Sequence, residues 1–172
     1  MTNPMSKGLR TAVIRLAHEN PELREDLLPL LKIGTDLDGF LEGFYRRHPS
    51  LRVYKPKIVS KAAGSGVHGH PEARQSGNEI WLFPKFWLLN VGTRDFVLAH
   101  EIGHFVSSKG SLADLIRKAE EVGIDPWDTG SLPFGQGNME EAFADAFATY
   151  FLDRNELKNR YPAWLKLVEN FQ

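Results

Sequence analysis

The pattern of this chain predicts an α+β fold, mostly helical with a small sheet. Three observations carry that expectation. Apolar residues recur at helical spacing over most of the 172 residues. Only two short runs, "RVYKPKIVS" and "EIWLF", read as strands. The helical stretches cluster on either side of those runs and do not alternate with strands, as a βαβ array would require.

From the N-terminus, Leu9, Val13, Leu16 and Ala17 fall at helical spacing. Asn20-Pro21 then restarts a helix, with Asn as cap and Pro at its first position. Leu23, Leu27, Leu30 and Leu31 give this helix an apolar face; Pro29 should kink it and Gly34 end it. A further helix is expected from Asp36 to Arg47, with Phe40, Leu41, Phe44 and Tyr45 inward. After the first strand, "AAGSGVHGHPEARQSGN" is a loop by composition. "EIWLF" follows as the second strand, the edge strand that precedes the next helix. Thr93 can cap that helix, which should run from Arg94 to Ser107. Ser111 and Asp114 resemble a capping box for a helix ending at Gly123. "IDPWDTGSLPFGQG" is a loop, Asn138 caps a helix over Met139 to Leu152, and a last helix covers Pro162 to Phe171. The division implied is an N-terminal helical segment over 1–35 and a domain over 36–172.

Composition excludes several classes. With a net charge of -1 there is no general electrostatic drive toward nucleic acid or anionic membrane. The longest apolar runs are too short and interrupted to span a bilayer. "MTNPMSKGLR" lacks an apolar h-region, so no secretory signal is expected and a cytoplasmic location is. No cysteine is present, which leaves histidine and carboxylate as the plausible zinc ligands.

The chemistry-bearing stretch is "VLAHEIGHFV", Val97 to Val106. On a helix, residues at i and i+4 share a face, so His100 and His104 can ligate one ion. Glu101 sits about 100° round from His100, beside the metal and not on it. There it can take a proton from the bound water. Gly103 leaves room for another backbone or a substrate. H-E-x-x-H also arises by chance in unrelated chains. The amphipathic helix around it and the strand before it supply the context a site needs, since a peptide could align on a sheet edge by strand addition. No third histidine follows at the metzincin spacing, because the next residues are "FVSSKGSLAD". A later helix, "NMEEAFADAFATYF", offers Glu141 as third ligand and, four residues on, Asp145 as a carboxylate to orient a ligand imidazole. Glu140 is a rival ligand. Equally, Glu141 could complete a capping box with Asn138, and Phe143, Phe147 and Phe151 form a stripe better suited to a core than to a pocket.

"AHEIGHFV" followed by "FGQGNMEEAFADAF" resembles the zinc-protease domain of the anthrax lethal factor family, whose third-ligand helix carries a similar Glu-x-Phe-Ala-acidic-Ala-Phe pattern. Glu141, Phe143, Ala144, Asp145, Ala146 and Phe147 match it. "YPAWLKLVENF" resembles that family's Pro-containing terminal helix, so the resemblance covers Glu79 to Gln172. It implies a zincin-like fold, one Zn²⁺ per chain, His100, His104 and Glu141 as ligands, and Glu101 as base. The family has a tyrosine seven residues before the glutamate ligand, to which an oxyanion-stabilising role is assigned; Phe134 stands there in this chain and lacks the hydroxyl. His68, His70 and Tyr150 are candidate substitutes, and the Gly-rich loop "GVHGHP" that holds the first two could reach the site or a second metal.

The function expected is a zinc-dependent metalloendopeptidase that hydrolyses peptide bonds through a metal-bound water activated by Glu101, slowed by the missing tyrosine. Its partner is a peptide or protein substrate. The alternative is a catalytically weak or inactive zincin-fold binding module. "KGLRTAVIRLAHENPELREDLLPLL" resembles a helical leader of phage and bacterial proteins, which implies a protein partner for the N-terminal helices. It also raises the reading of a phage or bacterial assembly or effector protein, virion-associated if phage-encoded.

Overall fold

A computed structural model describes residues 7–23, 37–61, 72–127 and 138–171. Helix α1 spans Lys7–Glu19, and Pro21–Leu23 follow as a 3-10 turn. The expected helix through Leu27, Pro29 and Gly34 lies outside the described residues. Ala17 is buried, whereas Leu16 is 44% exposed. Helix α2 is Leu37–Arg47, β1 Lys57–Ser60, β2 Ala73–Ser76 and β3 Glu79–Leu82. Helices α3 (Val91–Ser107), α4 (Leu112–Glu121), α5 (Met139–Leu152), α6 (Arg154–Arg160) and α7 (Pro162–Glu169) complete the order. Among the described residues the architecture is α+β, mostly helical with one three-stranded sheet, as the pattern predicts. No helix among the described residues is long and apolar enough to cross a membrane.

The sheet differs from expectation in one respect that matters for the site. Its order is β1-β3-β2, with β1 parallel and β2 antiparallel to β3. "EIWL" is therefore the central strand, not the edge. The edge next to α3 is β2, the "ARQS" assigned above to a loop. Its four residues show little apolar character, so propensity does not reveal them. The pairing is set by the hairpin: Gly77, at φ 58°, makes with Asn78 a two-residue turn that folds β2 back on β3. The first strand is also shorter than predicted, because Pro49–Val53 form a 3-10 turn and Lys55 takes a positive φ of 44° before Lys57 enters the sheet.

Two further boundaries move. Helix α3 starts three residues before Arg94, with Asn90 and not Thr93 as its cap; the Asn90 side chain accepts a hydrogen bond from Thr93 N at 3.0 Å. The stretch before α7 holds the short helix α6, capped by Asp153, whose side chain accepts from Glu156 N at 3.1 Å.

Helices α3 and α5 form the most extensive helix pair among the described residues. Gly103 is why they approach so closely. A Cβ at that position would lie 2.8 Å from Ala144 Cα and 3.1 Å from Phe147 Cβ. The phenylalanine stripe of α5 is core, as its spacing suggests: Phe143 and Phe147 are fully buried, and Phe147 packs on Phe151 with ring centroids 4.8 Å apart. At the other end of α3, buried Asp95 accepts from Arg47 Nε and Nη2, each at 2.7 Å, and lies 3.1 Å from His48 Nε2. This ties the end of α2 to α3. Phe44, on the same turn of α2, is fully buried.

Gly103→Ala adds helix propensity worth about 0.5–1 kcal/mol at an ordinary helical site. Here it should destabilise by about 1–3 kcal/mol, because backbone and not a flexible tip must move. Denaturant unfolding checks the sign; a more stable variant would mean that the helices separate without cost.

Asp95 has a depressed pKa. Burial pushes it up, but the hydrogen bonds and charges of Arg47 and His48 outweigh that and hold it down. Its contribution is therefore present above the unfolded value of about 4 and lost as pH falls through the lower folded value. Asp95→Ala should cost about 1.5–3 kcal/mol at pH 7, the range for hydrogen bonds to a charged group. The gap between variant and wild type should narrow in urea titrations at pH 3; a gap independent of pH would overturn this account.

Candidate metal centre

The site is built where α3, α5 and β2 meet. His100 and His104 stand one turn apart on α3, and Glu141 and Asp145 one turn apart on α5. His104 Nε2 lies 3.0 Å from His100 Nε2. Glu141 Oε2 lies 3.2 Å from the first and 3.3 Å from the second of these nitrogens, counted from His100. These three residues are the group among the described ones whose ligand atoms converge closely enough to hold a metal ion. Two donors about 2.0–2.1 Å from a tetrahedral ion sit about 3.3–3.4 Å apart, so the observed triangle has the size such an ion needs.

Asp145 Oδ1 lies 2.6 Å from His100 Nδ1. A carboxylate only accepts, so Nδ1–H donates and Nε2 is left to face the triangle. Burial lowers the His100 pKa, but Asp145, with Glu101 and Glu141, more than reverses this and the net shift is upward. His104 is shifted down, by burial first and then by the charge of His100. The two Nε2 atoms, 3.0 Å apart, would repel each other if both were unprotonated. A proton or a cation at the triangle turns that contact favourable, which is why this donor set fits a metal ion.

Glu101 points into the same cleft but toward β2. Its Oε2 accepts from Gln75 N at 2.5 Å, and the residue is 8% exposed. Burial raises its pKa to about 7; the His100 charge, the Gln75 N–H and Arg74 oppose the rise, and Glu141 adds to it. Glu101 is thus beside the triangle and outside it, as helical spacing predicts. The cleft encloses about 440 Å³ and is lined by Arg74, Gln75, Glu101, His104, Glu140 and Glu141, among others.

The structure brings together His100, Glu101, His104, Glu141 and Asp145. Glu141, not Glu140, turns its carboxylate to both histidines. Asn138 does cap α5, accepting from Glu140 N at 2.9 Å, but Glu141 is engaged at the triangle and not in a capping box. Phe134, His68 and His70 lie outside the described residues. Tyr150 packs its ring on Phe151 and beneath Arg154 and is not a lining residue of the cleft. Sequence reasoning missed Gln75 and Arg74. The signal that could have found them is the Gly-Asn pair between "ARQS" and "EIWL", a hairpin turn by composition. A scan against family models and searches of curated proteins and of solved structures found no match to this chain.

With one metal bound per chain, His100→Ala and His104→Ala should each abolish binding. Glu141→Ala should weaken it far more than Glu140→Ala, and Asp145→Asn by about 10–100-fold. Elemental analysis and competition against a chromophoric chelator read these out. Equal affinity in the Glu140 and Glu141 variants would remove Glu141 from the donor set.

Proposed function

We propose that this chain is a zinc-dependent peptidase with a zincin-like catalytic core. The observation that carries the reading is the triangle of His100 Nε2, His104 Nε2 and Glu141 Oε2 with a buried carboxylate, Glu101, directly beside it. Two imidazoles and one carboxylate form a set suited to zinc, and three protein ligands leave a coordination position for the reaction. Zinc held there would supply Lewis acidity to the scissile carbonyl and lower the pKa of water.

The chain's own groups do the rest. Asp145 fixes the His100 ring through Nδ1–H. The Gln75 N–H occupies Glu101 Oε2, which leaves Oε1 to receive a proton. Glu101 takes that proton from the attacking water as the C–O bond forms. It returns the proton to the amine nitrogen as the C–N bond breaks, so the base is regenerated at the end of the cycle. A carboxyl with a pKa near 7 is poised for both transfers at neutral pH.

A second reading, a zincin-like module that binds peptides without cleaving them, draws on Phe134, whose ring lacks the hydroxyl that the resembling family places at the oxyanion. One missing donor costs about 10²–10³ in rate.

Glu101→Gln discriminates between the two. The variant should keep its metal and lose hydrolysis of a peptide library, because the residue acts on protons and is not a ligand. Loss of metal would mean Glu101 is misassigned; a metal-loaded wild type inert on the same library would favour the binding module.

A further inference from the structure

The cleft is electrostatically lopsided. Its α5 wall carries Glu140 and Glu141, and Glu101 and the two histidines lie between that wall and β2. The β2 wall carries one cation, Arg74. Arg74 is exposed and stands immediately before Gln75, the residue whose N–H touches Glu101. Arg47, Arg117, Arg154 and Arg160 each engage a carboxylate of the chain. Arg74 makes no such pair among the described residues.

We infer that Arg74 is a specificity-determining residue that receives a carboxylate of the bound peptide on the β2 side of the cleft. The guanidinium offers a planar fork of donors that matches a carboxylate in two parallel hydrogen bonds. A carboxylate on the opposite side would instead meet Glu140, which lines the cleft and is not part of the donor triangle. The charge pattern therefore sets the direction of the ligand as well as its class: acidic group against β2, neutral or basic groups toward α5. The carboxylate belongs either to an Asp or Glu side chain or to a free C-terminus. The inference rests on the peptidase reading for the cleavage that follows binding, but not for the recognition itself.

The test uses the full chain, metal-loaded, with a peptide set that places Glu, Gln or Lys at each position around the scissile bond. Each peptide is made with a free and with an amidated C-terminus. Wild type should favour Glu over Gln at one position by about 10-fold in kcat/KM, the worth of one charge-assisted pair. Arg74→Gln should bring that ratio to about 1, and Arg74→Glu should turn the preference to Lys, with metal content unchanged in both. A preference that follows the free C-terminus and not the side chain assigns the carboxylate to the chain end. A wild-type ratio near 1, or one that survives Arg74→Glu, overturns the inference. If no peptide is cleaved by metal-loaded protein, the peptidase reading fails. Arg74 is then judged by fluorescence anisotropy with the same peptides: tighter binding of the Glu peptide, abolished in Arg74→Glu, upholds it, and equal or absent binding overturns it.

Discussion

The close approach of α3 to α5 at Gly103 is the constraint on which the rest depends. Glycine on one helix against Ala144 on the other lets the two backbones meet with no side chain between them. At that separation a short Asp145 side chain reaches His100 Nδ1, and Glu141 reaches the two Nε2 atoms one turn earlier. Aspartate has only one methylene with which to span a gap. A wider helix pair would leave its carboxylate short of the ring and the imidazole free to turn. By helical geometry Glu141 and Asp145 share one stripe of α5, Ala144 lies next to it, and Phe143, Phe147 and Phe151 lie beyond. The same helix thus presents carboxylates to the cleft, an alanine to its neighbour and phenylalanines to the core.

That arrangement gathers groups that would otherwise destabilise the fold. Glu101 is almost fully buried, and the Nε2 atoms of the two histidines lie 3.0 Å apart. Each group is held by a partner from a different element: Glu101 by the backbone of β2, His100 by Asp145 of α5, both histidines by Glu141. The burial that raises the Glu101 pKa also removes the water that would screen it, so the perturbed group and its partners arise from one cause. The rigid core beneath, with Phe143, Phe147, Leu98 and Ile102 fully buried, offsets the cost and keeps the side chains in register.

Much of this was legible in the chain itself. Helix α5 was bounded correctly, because Asn138 is a strong cap and the stripe of phenylalanines has the helical period. The i, i+4 spacing put His100 and His104 on one face, and the glycine between them signalled a close neighbour. What escaped was the element with the weakest local signature. "ARQS" has no alternation of apolar and polar residues, and it becomes a strand because Gly77 turns the chain back onto β3. Helix α6 escaped for a similar reason: "RNELKNR" is polar nearly throughout, and only Leu157 of it is buried. Thr93 lost the cap of α3 to Asn90, the stronger capping residue, which also bonds the amide three positions on.

The misplaced edge changes how a ligand would meet the site. Just before β2, Glu72 O accepts from Phe83 N, so alternation along the antiparallel pair turns the backbone N–H and C=O of Ala73 and Gln75 away from β3. The outward N–H of Gln75 is taken by Glu101. An extended peptide laid along β2 would therefore lack that donor at the point nearest the triangle. One amide of the strand is thus committed to holding Glu101. A polar, weakly patterned strand suits that role, because the contact is made by its main chain. Nothing in that role demands the apolar alternation by which strands are usually recognised.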